Sequence, residues 1–143
     1  MIPSNKSLHA VRWLISPLLT LVLVALLLQP GEQSITDTGI LQGPPGLARD
    51  LFFIAGHIGW FGLLVVLWRW TLVTRFHTTS ALVLAVLIAL VVGTSTEFAQ
   101  TLIPNRGATL VDLLANYVGI VLAVVSVRYY ETRSLTARKQ FNN

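Results

Sequence analysis

The chain contains no cysteine among its 143 residues. Disulfides, a thiolate nucleophile and a cysteine-ligated metal are therefore excluded, and cysteine usage reveals nothing about the redox compartment. Charge is also scarce. Only 11% of the residues are Asp, Glu, Lys or Arg, against about 25% in a soluble domain. The net charge of +4 comes from basic residues standing singly at the ends of apolar blocks, so no nucleic-acid partner is expected. HExxH, GxSxG, Walker and glycine-rich phosphate-loop motifs are all missing, which removes the common signatures of metalloproteases, hydrolases and nucleotide enzymes.

What the chain does have is apolar length. Hydrophobic residues make up 54%, mean hydropathy is +0.70, and the apolar residues fall in four blocks. A helix needs about 20 apolar residues to cross a hydrocarbon core. The expectation is a single-domain, all-α membrane protein, a compact bundle of four transmembrane helices at about 13–30, 51–70, 79–103 and 109–128. Residues 29–50 form an irregular outer loop. Pro17 lies in the opening turns of the first block, where proline is best tolerated. That block is followed by LLLQPGEQ, which lacks a small-x-small cleavage site, so it is read as a retained helix.

Positive charge predicts the orientation. Eight of the ten basic residues precede helix 1, lie between helices 2 and 3, or follow helix 4; Arg49 and Arg106 are the other two. The positive-inside rule then places both termini in the cytoplasm of a multi-pass cell-membrane protein.

One segment breaks the apolar pattern. TEFAQTLIPNRGATLVDLLANYVG, 96–119, carries Glu97, Gln100, Arg106, Asp112 and Asn116, including two of the six acids. Spacing sinks several of these into the membrane. Twelve residues separate Asn116 from Arg128, and twelve separate His57 from Arg69; at 1.5 Å per residue each interval is about 18 Å, too short to span. His57 and Asn116 should lie at one depth, Asp112 a turn higher, and Glu97 and Gln100 near the outer rim. Polar side chains facing lipid are costly, so these faces should turn towards one another. The expected object is a polar pocket opening outwards, lined by His57, Glu97, Gln100, Arg106, Asp112 and Asn116.

Each residue also has a structural explanation. Thr109 to Asp112 matches a capping box, and Pro104–Gly107 is ordinary turn chemistry. Arg106 would serve equally as a structural partner for either acid. Asn116 and His57 would serve as interhelical hydrogen-bonding groups, and Gly56, Gly59 and Gly62 as a close-packing stripe. The four tryptophans read as interfacial anchors or packing residues. Convergence from three helices favours a site. His57 with two acids is a weak pattern for a metal or an acid/base set, and no metal or cofactor is assigned. His9 and His77 lie at the opposite edge.

The run Glu97-Phe-Ala-Gln100, Pro104-Asn-Arg106-Gly107 and Asp112-Leu-Leu-Ala-Asn116-Tyr-Val-Gly119 resembles the VanZ-like family, whose pattern is E-x-x-Q, a P-x-R turn, then D-x-x-x-N-x-x-G. His57 matches the family's upstream histidine. The Asp or Lys often found just before it is replaced here by LFFIAGH. The resemblance covers about 50–127 and implies a small bacterial membrane protein of the cell envelope. The founding member is associated with reduced susceptibility to teicoplanin, a lipoglycopeptide antibiotic; no settled activity attaches to the family. The expected function is binding of a lipid-linked precursor, a lipid head group or a lipoglycopeptide, linked to teicoplanin-type resistance, and without an enzymatic step. Two alternatives stay open: a membrane hydrolase or transferase acting on a lipid-linked substrate, and a small accessory subunit of a larger membrane complex.

Overall fold

Inside a bilayer every backbone N–H and C=O must be satisfied within the protein, and a helix does this within one segment. The four apolar blocks accordingly become four helices. A computed structural model describes residues 5–29, 47–103 and 110–141. It contains α1 (Asn5–Leu27), α2 (Leu47–Leu72), α3 (Thr78–Gln100) and α4 (Leu110–Phe141). No strand occurs among the described residues. All four helices are long and apolar enough to cross a membrane, over His9–Leu27, Asp50–Leu72, Thr78–Gln100 and Leu110–Ser134. Their outer faces agree with that setting. Leu14, Leu18 and Leu21 on α1, Val83, Leu87 and Val91 on α3, and Leu114, Val121 and Val125 on α4 are all exposed. Apolar patches this continuous mark a surface that meets something other than water.

The helices outrun the apolar blocks. α1 begins at Asn5, so Pro17 is interior to it, not in an opening turn, and its missing N–H leaves the Trp13 carbonyl without the usual helical donor. α2 begins at Leu47, so the end of the expected outer loop is helical. α4 continues past Arg128 to Phe141. Its polar extension contains neither Pro nor Gly, and Glu131 there pairs with Arg69 of α2 and with Arg128. The turn at 104–109, including the expected Thr109 cap, lies outside the described residues.

α2 is the central helix. It packs on α1, α3 and α4, and its interface with α4 is the broadest in the molecule. The contact between α3 and α4, neighbours in sequence, is smaller. The reason lies in the glycines. A Cβ on Gly119 would stand 2.3 Å from the Ile58 carbonyl oxygen, and one on Gly62 would stand 3.2 Å from the Gly119 oxygen. Backbone meets backbone there. By contrast, a Cβ on Gly56 or Gly59 would meet nothing within 4 Å. The close approach therefore uses Gly62 and Gly119, not the Gly56–Gly59–Gly62 stripe.

α3 buries a row of small residues, Ala81, Ala85, Ala89 and Gly93, spaced four apart on one face. They admit the large side chains Phe61 and Val65 of α2, both fully buried. α1 is attached through polar side chains. Ser16 Oγ lies 2.7 Å from Thr71 Oγ1, the Trp68 indole donates to Thr20 Oγ1 at 3.0 Å, and the Trp13 indole donates to Thr74 Oγ1 at 3.1 Å.

Candidate functional site

The antiparallel course of α2, α3 and α4 brings the first half of α2, the last turn of α3 and the first turns of α4 to one end of the bundle. His57, Glu97, Asp112 and Asn116 meet there. Asn116 is fully buried and Glu97 is 6% exposed. The Asn116 amide nitrogen donates to Glu97 Oε1 at 3.1 Å, and Asn116 Oδ1 lies 2.8 Å from His57 Nδ1. A carboxylate only accepts, so the amide nitrogen must face Glu97 and the amide oxygen must face the histidine. With the amide oriented this way and Glu97 ionised, the bond calls for a donor at Nδ1. One buried carboxylate thus fixes the amide, and the amide fixes the imidazole.

The far ring nitrogen points towards the second acid. His57 Nε2 faces Asp112 Oδ1 at 4.0 Å, beyond direct hydrogen-bond length. The side chains of His57 and Asp112 are 10% and 22% exposed, respectively, so this edge is more open than the Glu97–Asn116 base. Glu97 Oε1 lies 3.9 Å from His57 Nδ1. The two carboxylates therefore flank opposite ring nitrogens and do not converge with a single one on a common point. Among the described residues no group of three or more His, Cys, Asp or Glu is arranged to hold a metal ion.

Gly93 keeps the base tight. A Cβ at that position would stand 3.0 Å from Phe61 Cε1 and 3.6 Å from Asn116 Nδ2. Gln100 shares the buried face of α3 with Glu97, but its amide donates to the Leu27 carbonyl at 2.9 Å. It satisfies one of the carbonyls left open at the end of α1, so it ties the first helix to the site. Arg106 lies outside the described residues. Nearby hydroxyls are engaged: Thr96 donates to the carbonyls of Val92 and Gly93, and Thr94 pairs with the Tyr117 hydroxyl at 3.1 Å.

Of the six expected site residues, four form one constellation and Gln100 supports it from the side. Reading the residues alone missed the α1–α2 polar seam. Ser, Thr and Trp are common in membrane helices, and only their regular recurrence on both segments signals a ladder. No family model, curated protein or solved structure matches the chain.

Proposed function

We propose that the chain is a VanZ-like cell-envelope protein that binds the polar head of a lipid, a lipid-linked precursor or a lipoglycopeptide at the His57–Asp112 edge. In this reading both termini are cytoplasmic and the edge faces outwards. The supporting observation is the 4.0 Å separation of His57 Nε2 and Asp112 Oδ1 above a buried, directional base. Two polar atoms at that distance leave room for one small polar group between them, a water or a ligand's hydroxyl or amine. A binding role is preferred over a hydrolase or transferase because, among the described residues, no hydroxyl is paired with His57, whose Nδ1 bonds to Asn116 Oδ1, while Thr94 and Thr96 bond elsewhere. The link to teicoplanin-type resistance rests on the family-like motif alone.

Lipids retained through purification test this reading. Wild-type protein and Asp112→Asn are purified in mild detergent from the same bacterial host, and their bound lipids are compared by mass spectrometry. Loss of a hydrogen bond to a charged group is worth roughly 1.5–3 kcal/mol, so at least about a tenfold loss of one enriched lipid species is expected. The variant should still fold, because Asp112 is partly exposed. Identical lipid profiles from two folded proteins would contradict the proposal.

A further inference from the structure

The other end of the bundle carries a second constellation. Arg12 of α1 lies over the Trp70 ring of α2, with Cζ 4.5 Å from the centroid. Arg75, just past the end of α2, lies over the Trp13 ring of α1 at 4.8 Å. The two stacks are reciprocal, each arginine resting on the other segment's tryptophan. Trp13 is pinned by its bond to Thr74 Oγ1 at 3.1 Å, and Arg12 Nη1 reaches the Trp70 carbonyl at 3.4 Å.

What these arginines lack is a counter-charge. Among the described residues, Arg69 and Arg128 share Glu131, whereas neither Arg12 nor Arg75 forms an ion pair with a carboxylate. Arg12 Nε is buried with no hydrogen-bond partner among the described residues. Arg12 sits about one turn inside the apolar span of α1, which begins at His9, and Arg75 about one turn beyond the span of α2, which ends at Leu72. With these spans set in a bilayer, both arginines would stand near the boundary between hydrocarbon and head groups.

We propose that Arg12 and Arg75, shelved on Trp70 and Trp13, form a binding site for the phosphodiester of an anionic lipid. A guanidinium presents a planar fork that matches phosphate oxygens, and stacking on an aromatic face leaves its edge open; in Arg12, where Nη1 reaches the Trp70 carbonyl and Nε is buried, Nη2 is the group that remains to donate. The tryptophans hold both forks in place before the ligand arrives, which lowers the ordering cost of binding. The acyl chains would continue along the exposed Leu14 and Leu18 of α1. Inorganic phosphate offers the same oxygens without that apolar contact. The site lies at the opposite end from His57 and does not depend on how that residue is read.

The test is native mass spectrometry of the full chain in detergent, titrated separately with phosphatidylglycerol, phosphatidylcholine of the same acyl chains, and inorganic phosphate. The variants are Arg75→Gln and Arg12→Gln/Arg75→Gln. Arg75 is exposed, so its single variant should fold even if the double one does not. Charge-assisted bonds are about twice as strong as neutral ones, so phosphatidylglycerol affinity should fall several-fold in Arg75→Gln and at least about tenfold in the double variant. Phosphatidylcholine and inorganic phosphate should bind the wild type more weakly than phosphatidylglycerol. Unchanged phosphatidylglycerol retention in folded Arg75→Gln, or equal binding of phosphatidylcholine or inorganic phosphate, would overturn the proposal.

Discussion

At the scale of single residues, Asn116 holds the site together. It is fully buried and its amide is bonded on both sides, to His57 and to Glu97. Replacing it with Ala removes a partner from a buried donor and a buried acceptor at once. An unsatisfied buried polar group costs about 1–3 kcal/mol, although interhelical bonds in membranes average nearer 0.6 kcal/mol. Asn116→Ala should therefore lower stability by about 1–3 kcal/mol in a detergent unfolding titration, and His57→Gln should cost less because that residue lies nearer the open edge. An Asn116→Ala protein as stable as wild type would show that the network carries no load. Much of this constellation was legible in the sequence. Counting residues from the flanking arginines put His57 and Asn116 at one level, where they meet at 2.8 Å, whereas Glu97, expected nearer the rim, bonds to Asn116 at that same level and is buried. The partner of Gln100 was not legible. Its acceptor is a backbone carbonyl at the end of α1, and a backbone carbonyl has no sequence signature.

At the scale of helices, a single crossing sets the architecture. Gly119 and Gly62 let α4 and α2 approach until backbone atoms touch, and this contact lies one turn below Asn116. Gly119→Ala would force a Cβ to within 2.3 Å of the Ile58 oxygen. The helices must separate, which should cost about 1–3 kcal/mol by analogy with overpacked cores and also disturb the site one turn away. Gly59→Ala meets nothing within 4 Å and should be tolerated or slightly stabilising, since alanine is the better helix former. Melting temperatures of the two variants in one detergent decide the matter; equal destabilisation would contradict the assigned crossing. Both glycine groups stand out in the sequence, but spacing alone does not tell which one faces a neighbour. Helix ends were likewise only partly legible. Hydropathy marks where a helix leaves the apolar layer, whereas α4 continues well past that point.

At the scale of the whole molecule, the two ends have opposite character. One gathers His57, Glu97, Asp112 and Asn116. The other gathers Arg12, Arg69, Arg75 and Arg128 with one carboxylate, Glu131. This polarity was the most legible feature of all, because basic residues recur at every second boundary between apolar block and loop. On the proposed function, the histidine–carboxylate end opens to the outside and is reached by water. The chain has no cysteine, so single substitutions can be read without background. Asp112→Cys, Ala115→Cys and Ser134→Cys, each in intact cells, are treated with a membrane-impermeant maleimide. The expected outcome is labelling of Asp112→Cys from outside, protection of Ala115→Cys, which is buried, and labelling of Ser134→Cys only after the cells are opened. Labelling of Ser134→Cys in intact cells, or an Asp112→Cys that stays unlabelled from outside, would contradict it.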